Sequence, residues 1–356
     1  MATWIKQKLP RENGELVDMQ VPILVSASRS TDIPAFYADW FFHRLDKVGY
    51  SAWINPFNGV KSYVSYQNTR FIVFWSKNPM PLLQYLPILE KRGIKCYIQY
   101  SLNDYEEEKL EKNVPSLSQR IETFKQLVNV LGKGHVIWRF DPLILTDKIN
   151  IYTLLRKIDN IGTQLLGYTE KLVFSFADIL SYRRVESNLQ KANINYVDWQ
   201  EWQMREFAQK LSVLNHKWNY ELATCGEKID LTEFGVKKNH CIDDELIIKL
   251  AYDDKKLMDY LKVKLFPMPK TSLFGDMEPL LKEAIKLPND MYAIHGDNKD
   301  KGQREFCGCI KSKDIGEYNT CVHGCEYCYA NASKDKTTAN MLSHKDNPFA
   351  ETITGK

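Results

Sequence analysis

The sequence predicts an α/β protein built on a mainly parallel sheet, and two observations support this prediction. Five short apolar runs occur between residues 21 and 182, and amphipathic segments of helical length separate them. Such alternation is typical of parallel βα units, whose strands are hydrophobic throughout because both faces are covered. The runs are residues 22–28 (PILVSAS), 71–76 (FIVFWS), 96–102 (CYIQYSL), 136–142 (VIWRFDP) and 172–178 (LVFSFAD).

The intervening segments carry helix signals. Pro34 is suited to a first helical turn, and Trp40, Phe41 and Leu45 then fall on one face. A second apolar face in residues 121–131 ends before Gly132. No G-x-G-x-x-G motif follows the first run, and no Walker A motif is present, so nucleotide-binding folds lose support. An open doubly wound sheet and a barrel both remain compatible with the pattern.

Composition favours a soluble, cytoplasmic protein. The chain has 356 residues and a net charge of +3, which is nearly balanced and favours an anionic partner only weakly. Its N-terminus lacks the apolar core of a signal peptide, and no run reaches membrane-spanning length. The cytosol keeps thiols reduced, so the eight cysteines are expected to bind metal rather than form disulfides.

Three cysteines near the C-terminus have the spacing of a metal site. Residues 318–330 read YNTCVHGCEYCYA, which places Cys321, Cys325 and Cys328 in a Cys-x3-Cys-x2-Cys arrangement. Three thiolates can hold three irons of a cubane cluster and leave the fourth iron open, whereas structural zinc prefers four ligands. The alternative is a zinc knuckle completed by His323 or by a distant cysteine.

Four further cysteines form a second candidate group. Cys225, Cys241, Cys307 and Cys309 together supply the four thiolates of a closed site. The sequence leaves open whether they hold an auxiliary [4Fe-4S] cluster or zinc, or whether some are ordinary buried thiols. Cys96, which begins an apolar run, is expected to be part of the core.

The cysteine spacing, with Tyr327 before the last cysteine, resembles the signature of the radical S-adenosylmethionine (SAM) superfamily. The string NTCVHGCEYCYA is similar to the cluster loop of the spore-photoproduct-lyase branch. Weaker similarities to that branch occur at residues 31–34 (TDIP), 76–78 (SKN) and 110–115 (LEKNVP), with Arg120 beyond. As a whole, the chain resembles the bacterial family catalogued as domain of unknown function 1848.

The resemblance implies a circularly permuted (β/α)6 partial TIM-type radical SAM barrel, because the motif is N-terminal in that superfamily and C-terminal here. The five runs then correspond to strands two to six, and residues 315–319 with the cysteine loop supply the first unit. The implied divisions are an N-terminal extension (1–20), barrel units two to six (21–182), a mostly helical auxiliary cluster module (183–310), the cluster loop that completes the barrel (311–332) and a loose polar tail (333–356).

The resemblance also implies a [4Fe-4S] cluster on Cys321, Cys325 and Cys328, with SAM bound beside it. Polar residues at the strand ends are the candidates for SAM or substrate contacts. Arg139 is expected to bind the SAM carboxylate or to pair with Asp32 or Asp141, and Asp32 to bind ribose or cap a helix. The candidates are Tyr327, Ser26, Ser28, Arg29, Thr31, Asp32, Lys77, Asn78, Gln99, Ser101, Arg139, Asp141 and Ser175.

The function expected from the resemblance is reductive cleavage of SAM to a 5′-deoxyadenosyl radical that acts on a substrate. The expected partners are an electron donor such as flavodoxin or ferredoxin and, as substrate, a nucleic-acid base or nucleotide. A peptide or free metabolite is nearly as well supported. Two other classes remain open: a zinc-stabilised nucleic-acid-binding protein without redox chemistry, and an iron–sulfur protein that only transfers electrons.

Overall fold

The structure is a computed structural model that describes residues 4–55, 58–268 and 284–355. Its strands, in chain order β1 to β17, are Lys6–Pro10, Leu16–Gln20, Leu24–Ala27, Tyr50–Ile54, Lys61–Ser65, Phe71–Ser76, Lys95–Ser101, Val136–Leu143, Leu145–Thr146, Lys171–Phe176, Tyr196–Val197, Glu221–Thr224, Val236–Lys238, Lys264–Pro267, Ile285–Lys286, Met291–Ile294 and Lys313–Asp314. The α-helices, α1 to α10, are Ile33–Phe36, Ala38–His43, Leu86–Lys91, Leu117–Leu131, Ile151–Gln164, Arg183–Lys191, Glu201–Asn215, Asp244–Ala251, Lys255–Tyr260 and Lys334–Asp346.

An eight-stranded parallel sheet organises the described part of the chain. Its order is β13-β12-β10-β8-β7-β6-β3-β17, and every neighbouring pair is parallel. The five predicted strands are confirmed as β3, β6, β7, β8 and β10, with ends shifted by at most a few residues. Within the described ranges, no pairing joins the outer strands β13 and β17. The mixed α/β class with a large parallel sheet is therefore confirmed.

The C-terminal strand β17 lies at one edge of this sheet, beside β3. Lys313 pairs with Val25 and Asp314 pairs with Ser26. This strand directly precedes residues 315–319, the segment that was predicted to begin the first unit. The edge position puts residues 313–314 next to β3, and the cysteine loop begins where β17 ends.

The other edge of the sheet is formed by strands from the segment 183–310, which corrects the prediction that this segment is mostly helical. Strands β12 and β13 come from this segment and extend the main sheet beyond β10. Their sequences, ELAT and VKK, are too short and too polar to stand out as buried strands. The segment also supplies α6 to α9 and the small antiparallel sheet β14-β16-β15.

The two faces of the sheet bury different partners. Alternation along β6 sends Ile72 and Phe74 towards the helices, and Phe71 and Val73 towards the opposite face. Residues 241–261 and 285–310 cover that opposite face with a second apolar cluster that includes Ile247 and the cysteines Cys241, Cys307 and Cys309. The second cysteine group therefore packs directly on the sheet.

The terminal segments are ordered, which corrects the prediction of a loose tail. Helix α10 occupies residues 334–346, and its N-cap Ser333 accepts a hydrogen bond from the Lys336 amide. Beyond it, Glu351 pairs with Arg11 at 3.0 Å, and Ile353 is fully buried. The N-terminal strands β1 and β2 join β5 and β4 in a separate sheet. Residues 333–356 were predicted to be loose because they are polar, and the sequence alone does not reveal these long-range contacts.

In the part of the chain that the structure describes, no helix combines the length and apolarity needed to cross a membrane.

Candidate metal and cofactor site

Hydrogen bonds from the first βα unit fix the start of the cysteine loop. The Thr31 hydroxyl donates to the Glu317 carbonyl at 2.8 Å and lies 2.8 Å from the Thr320 hydroxyl. The Tyr37 hydroxyl donates to the carbonyl of Thr320 at 2.6 Å. Thr320 directly precedes Cys321, so residues near the N-terminus position the first cysteine. The hydroxyl of Thr31, which was predicted to contact SAM, therefore makes hydrogen bonds that hold the cysteine loop.

Asp314, at the end of β17, accepts hydrogen bonds from several groups of the neighbouring strand. Ser28 donates to its Oδ1 at 2.7 Å, and Ser26 and the Arg29 amide donate to its Oδ2 at 3.0 Å. The Gly316 amide completes the set at 3.0 Å. The side chains of Ser26 and Ser28 therefore tie the cysteine-loop segment to β3. Asp314 was not among the predicted site residues.

The segment predicted to resemble a Leu-Glu-Pro region runs alongside the cysteine loop. The Glu326 amide donates to the Leu110 carbonyl at 2.9 Å, and the Asn113 amide donates to the His323 carbonyl at 2.9 Å. The Asn113 side chain also donates to the Val322 carbonyl at 2.8 Å. These bonds satisfy loop backbone groups that would otherwise lack partners.

Asp32 is the acceptor at the centre of a buried cluster. Its carboxylate accepts from the Ser76 hydroxyl and the Lys77 amide, both at 2.7 Å, and caps α1 through the Ala35 amide at 3.0 Å. His323 Nε2 lies 2.7 Å from the same carboxylate. The capping alternative predicted for Asp32 is thus observed, and His323 is engaged with Asp32 inside the loop.

Cys321, Cys325 and Cys328 are half-buried and line a single cavity of about 580 Å³. Burial raises the pKa of each of these thiols above its ordinary value. The metal-free thiols are therefore protonated, and a metal that binds here must displace the protons. Three convergent thiols around one cavity are a donor set that suits a cluster with three protein ligands.

Lys77 and Tyr327 meet in a buried network behind the cysteines. Lys77 Nζ donates to Glu111 Oε1 at 2.7 Å and to the Tyr327 hydroxyl at 2.9 Å. The Tyr327 hydroxyl and the Asn103 amide group also donate to Glu111, and Arg120 lies 3.6 Å from its other oxygen. Although burial alone would raise it, the charges of Lys77 and Arg120 lower the pKa of Glu111 to about 2.

Arg139 pairs with Asp141, which is one of the two internal partners predicted for it. Its Nη1 donates to Gln99 Oε1 at 3.1 Å and contacts the sulfur of Cys241 at 3.4 Å. Ser175 donates to the other oxygen of Asp141. These predicted residues therefore come together, but around the second cysteine group.

The remaining predicted residues have fewer contacts. Ser101 is half-buried at the end of β7 and is paired in register with Arg139. Asn78 is half-buried just after β6, and its amide donates to the Ser76 hydroxyl at 2.9 Å. Both lie at the carboxyl end of the parallel strands.

The four cysteines of the second group lie in one region of the structure. Cys225 and Cys241 Sγ lie 2.8 Å apart, and Cys241 shares a buried cluster with Cys307 and Cys309. His240 lies 3.7 Å from Asp244, and its ring packs on Gly308, where an added Cβ would come within 2.2 Å. The four cysteines, which span 84 positions of the sequence from Cys225 to Cys309, therefore lie close together in the structure, as predicted.

Glu227 is a site residue that the sequence analysis missed. It accepts a hydrogen bond from the Phe176 amide at 2.9 Å, at the end of β10. Burial raises the pKa of its carboxyl to about 7, and the nearby Asp141 acts in the same direction. Its position two residues after Cys225 is the signal that could have identified it.

The fold and site define a class: an α/β protein with a large parallel sheet and two groups of cysteines, one in the loop after β17 and one in the apolar cluster that covers a face of the sheet. A family model described as "Domain of unknown function (DUF1848)" matches residues 24–330. The chain belongs to this family, which confirms that part of the resemblance. No curated protein and no solved structure matches the chain.

Proposed function

We propose that this protein is a radical SAM enzyme whose [4Fe-4S] cluster is held by Cys321, Cys325 and Cys328. The main support for the proposal is the position of the cysteine loop at one edge of the sheet. The loop follows β17, an edge strand parallel to β3, and its three cysteines converge on one cavity. A permuted barrel requires this placement, because its last segment must supply the first βα unit.

The spacing of the cysteines favours a cluster over a single zinc ion. Tetrahedral zinc with Zn–S bonds of about 2.3 Å holds its sulfurs about 3.8 Å apart. Within the described ranges, three ligand atoms that all lie within 4.8 Å of one another occur at His240, Asp243 and Asp244, and at no trio of cysteines. A cubane spreads its ligands over separate irons, which suits the wider spacing.

When bound, such a cluster supplies the electron that cleaves the sulfonium carbon–sulfur bond of SAM. The chain's own residues orient the loop and exclude water. Glu111 and Lys77 fix the side chain of Tyr327, which lies between the last two cysteines in the sequence. Asp32 fixes His323 between the first two cysteines. A pre-organised loop of this kind keeps the geometry constant while charge changes at the site.

The test is reduction of anaerobically reconstituted protein by dithionite in the presence of SAM. We expect slow formation of 5′-deoxyadenosine by the wild-type protein and a loss of at least 100-fold in Cys325→Ala, because the cluster loses one of three ligands. The matched control is Cys96→Ala. Burial raises the pKa of the Cys96 thiol to about 12, and this cysteine lies in the core, so its removal should leave 5′-deoxyadenosine formation within about twofold.

Three other outcomes would contradict the proposal. A colourless protein that contains zinc and no sulfide would indicate a structural metal site. A brown protein that forms no 5′-deoxyadenosine would indicate an electron-transfer protein. Equal formation of 5′-deoxyadenosine by Cys325→Ala and the wild type would show that this activity does not depend on Cys321, Cys325 and Cys328. For the substrate, we propose a nucleic-acid base or nucleotide on the resemblance of the cysteine loop alone.

A further inference from the structure

Two arginines that were predicted to contact SAM instead lie beside the second cysteine group. Arg139 Nη1 lies 3.4 Å from the sulfur of Cys241. Although burial lowers it, the charges of Cys309, Asp314 and Cys241 raise the pKa of the Arg29 guanidinium. The two guanidiniums lie over the ring of Trp75, at 5.3 Å for Arg29 and 5.5 Å for Arg139. Trp75 is itself held by a 3.0 Å hydrogen bond from its Nε1 to Ser26.

The charges of these arginines are only partly balanced by carboxylates. Asp141 pairs with Arg139. Asp314, the carboxylate whose charge acts most strongly on Arg29, already accepts hydrogen bonds from Ser26, Ser28 and two backbone amides. In the part of the chain that the structure describes, Arg29 Nη2 is buried without a hydrogen-bond partner. A buried guanidinium in this state requires an anion nearby.

We propose that Cys225, Cys241, Cys307 and Cys309 hold a second iron–sulfur cluster, and that Arg29 and Arg139 are its counter-cations. Each thiol releases its proton on binding iron, so four thiolates place negative charge beside the two guanidiniums. Among the described residues, no three of these sulfurs lie within 4.8 Å of one another, as a single tetrahedral zinc ion would require, so ligands on separate irons suit the group better. Cys225 and Cys241 Sγ, which lie 2.8 Å apart, must separate when iron binds. Arg29 and Arg139 are positioning residues in this proposal, since they act on the cluster through its sulfur ligands.

The electrostatic consequence is a raised reduction potential. One-electron reduction adds one negative charge to the cluster, and nearby fixed positive charges in a buried site stabilise that state more than the oxidised one. The cluster is therefore an electron acceptor that dithionite can reduce, with no change in its ligands. This inference extends the proposed function but does not depend on SAM cleavage at the first cluster.

The test measures metal content and reduction potential in separate variants. Wild-type protein reconstituted with ferrous iron and sulfide should contain about eight irons and eight sulfides per chain. The double variant Cys307→Ala/Cys309→Ala should lose half of this content and one of two EPR signals. The triple variant Cys321→Ala/Cys325→Ala/Cys328→Ala should lose the other half. If 5′-deoxyadenosine is absent but both signals are present, the proposed function fails and this inference stands.

The arginine role is tested by Arg29→Gln in a redox titration followed by EPR. At a fixed potential near the wild-type midpoint, the ratio of reduced to oxidised second cluster should fall at least tenfold, or about 59 mV for a one-electron couple. Arg29→Lys keeps the charge and should stay within threefold. The control Arg184→Gln removes an exposed arginine that donates to the Tyr329 carbonyl and should not move this midpoint.

Arg139→Gln is the second variant, and the same direction of change is expected. An unchanged midpoint in both glutamine variants would overturn the counter-cation role. One zinc per chain, retained by the triple variant together with no sulfide, would overturn the second cluster itself. The zinc result is read from metal analysis even where one variant folds poorly, because the cysteine variants and the wild-type protein answer that question independently. The midpoint is read from two separate glutamine variants, so poor folding of one leaves the other.

Discussion

Replacement of Glu111 by glutamine is expected to lower the free energy of unfolding by about 3–5 kcal/mol, the usual cost of removing one partner from a buried ion pair. Glutamine keeps the shape of the side chain and can still accept hydrogen bonds. It removes the negative charge that balances Lys77 at 2.7 Å and Arg120 at 3.6 Å. Lys77 would then lose its carboxylate partner beside the cysteine loop, and Arg120 would keep Glu106, which lies 3.8 Å away.

The measurement is urea denaturation of the metal-free protein, in which a lower midpoint with an unchanged slope reports lost stability. Hydrogen exchange at residues 321–328 should also become faster, because Tyr327 loses its ionic acceptor. The control Glu122→Gln removes an exposed carboxylate from the outer face of α4 and should cost less than about 0.5 kcal/mol. Equal effects of the two variants would contradict the role of Glu111.

A lower pH should reduce the loss of stability that Glu111→Gln causes. The native pKa of Glu111 is about 2, below its ordinary value of 4.5, so the folded state favours the charged carboxylate. Its contribution is complete above pH 4.5 and is lost as the pH falls towards 2. The difference between the wild type and Glu111→Gln should therefore shrink when unfolding is measured below pH 4.

The sequence could predict the parallel sheet because its strands carry the information locally. Runs such as FIVFWS are apolar on both faces, and the structure places β6 at the residues predicted, 71–76. The spacing of Cys321, Cys325 and Cys328 is local as well. The strands that escaped prediction are short: β17 has two residues, and β13 has the polar sequence VKK. Pairing with longer neighbours, rather than local propensity, makes them strands.

The partners of the site residues could not be predicted, since they depend on contacts between distant parts of the chain. Ser28 and Asp314 are 286 positions apart, and His323 and Asp32 are 291 apart. The sequence predicted Arg139 and Asp141 at a strand end; Asp141 lies two residues before the end of β8, whereas Arg139 lies in the middle of that strand. The sequence could not show that Arg139 faces Cys241, because that contact depends on how residues 241–261 and 285–310 cover the sheet.

Gly316, at the start of the cysteine loop, is expected to be a position of the site that tolerates no larger side chain. A Cβ at Gly316 would come within 1.8 Å of Ser28 Oγ and 2.7 Å of Ser30 Oγ. Both serines are buried, so neither can move into solvent. We expect Gly316→Ala to cost about 2–4 kcal/mol, from overpacking and from loss of the Ser28 hydrogen bond to Asp314.

The same change should weaken metal binding at the first cysteine group, because β17 and the loop that follows it would be displaced from β3. Urea denaturation and iron content after reconstitution measure the two effects. Gly296→Ala is the matched control, since an added Cβ there has no atom within 4 Å. The double variant Ser28→Gly/Gly316→Ala removes the clashing side chain and should recover part of the iron content. If Gly316→Ala behaves like Gly296→Ala, the close packing of β17 on β3 does not position the cysteines.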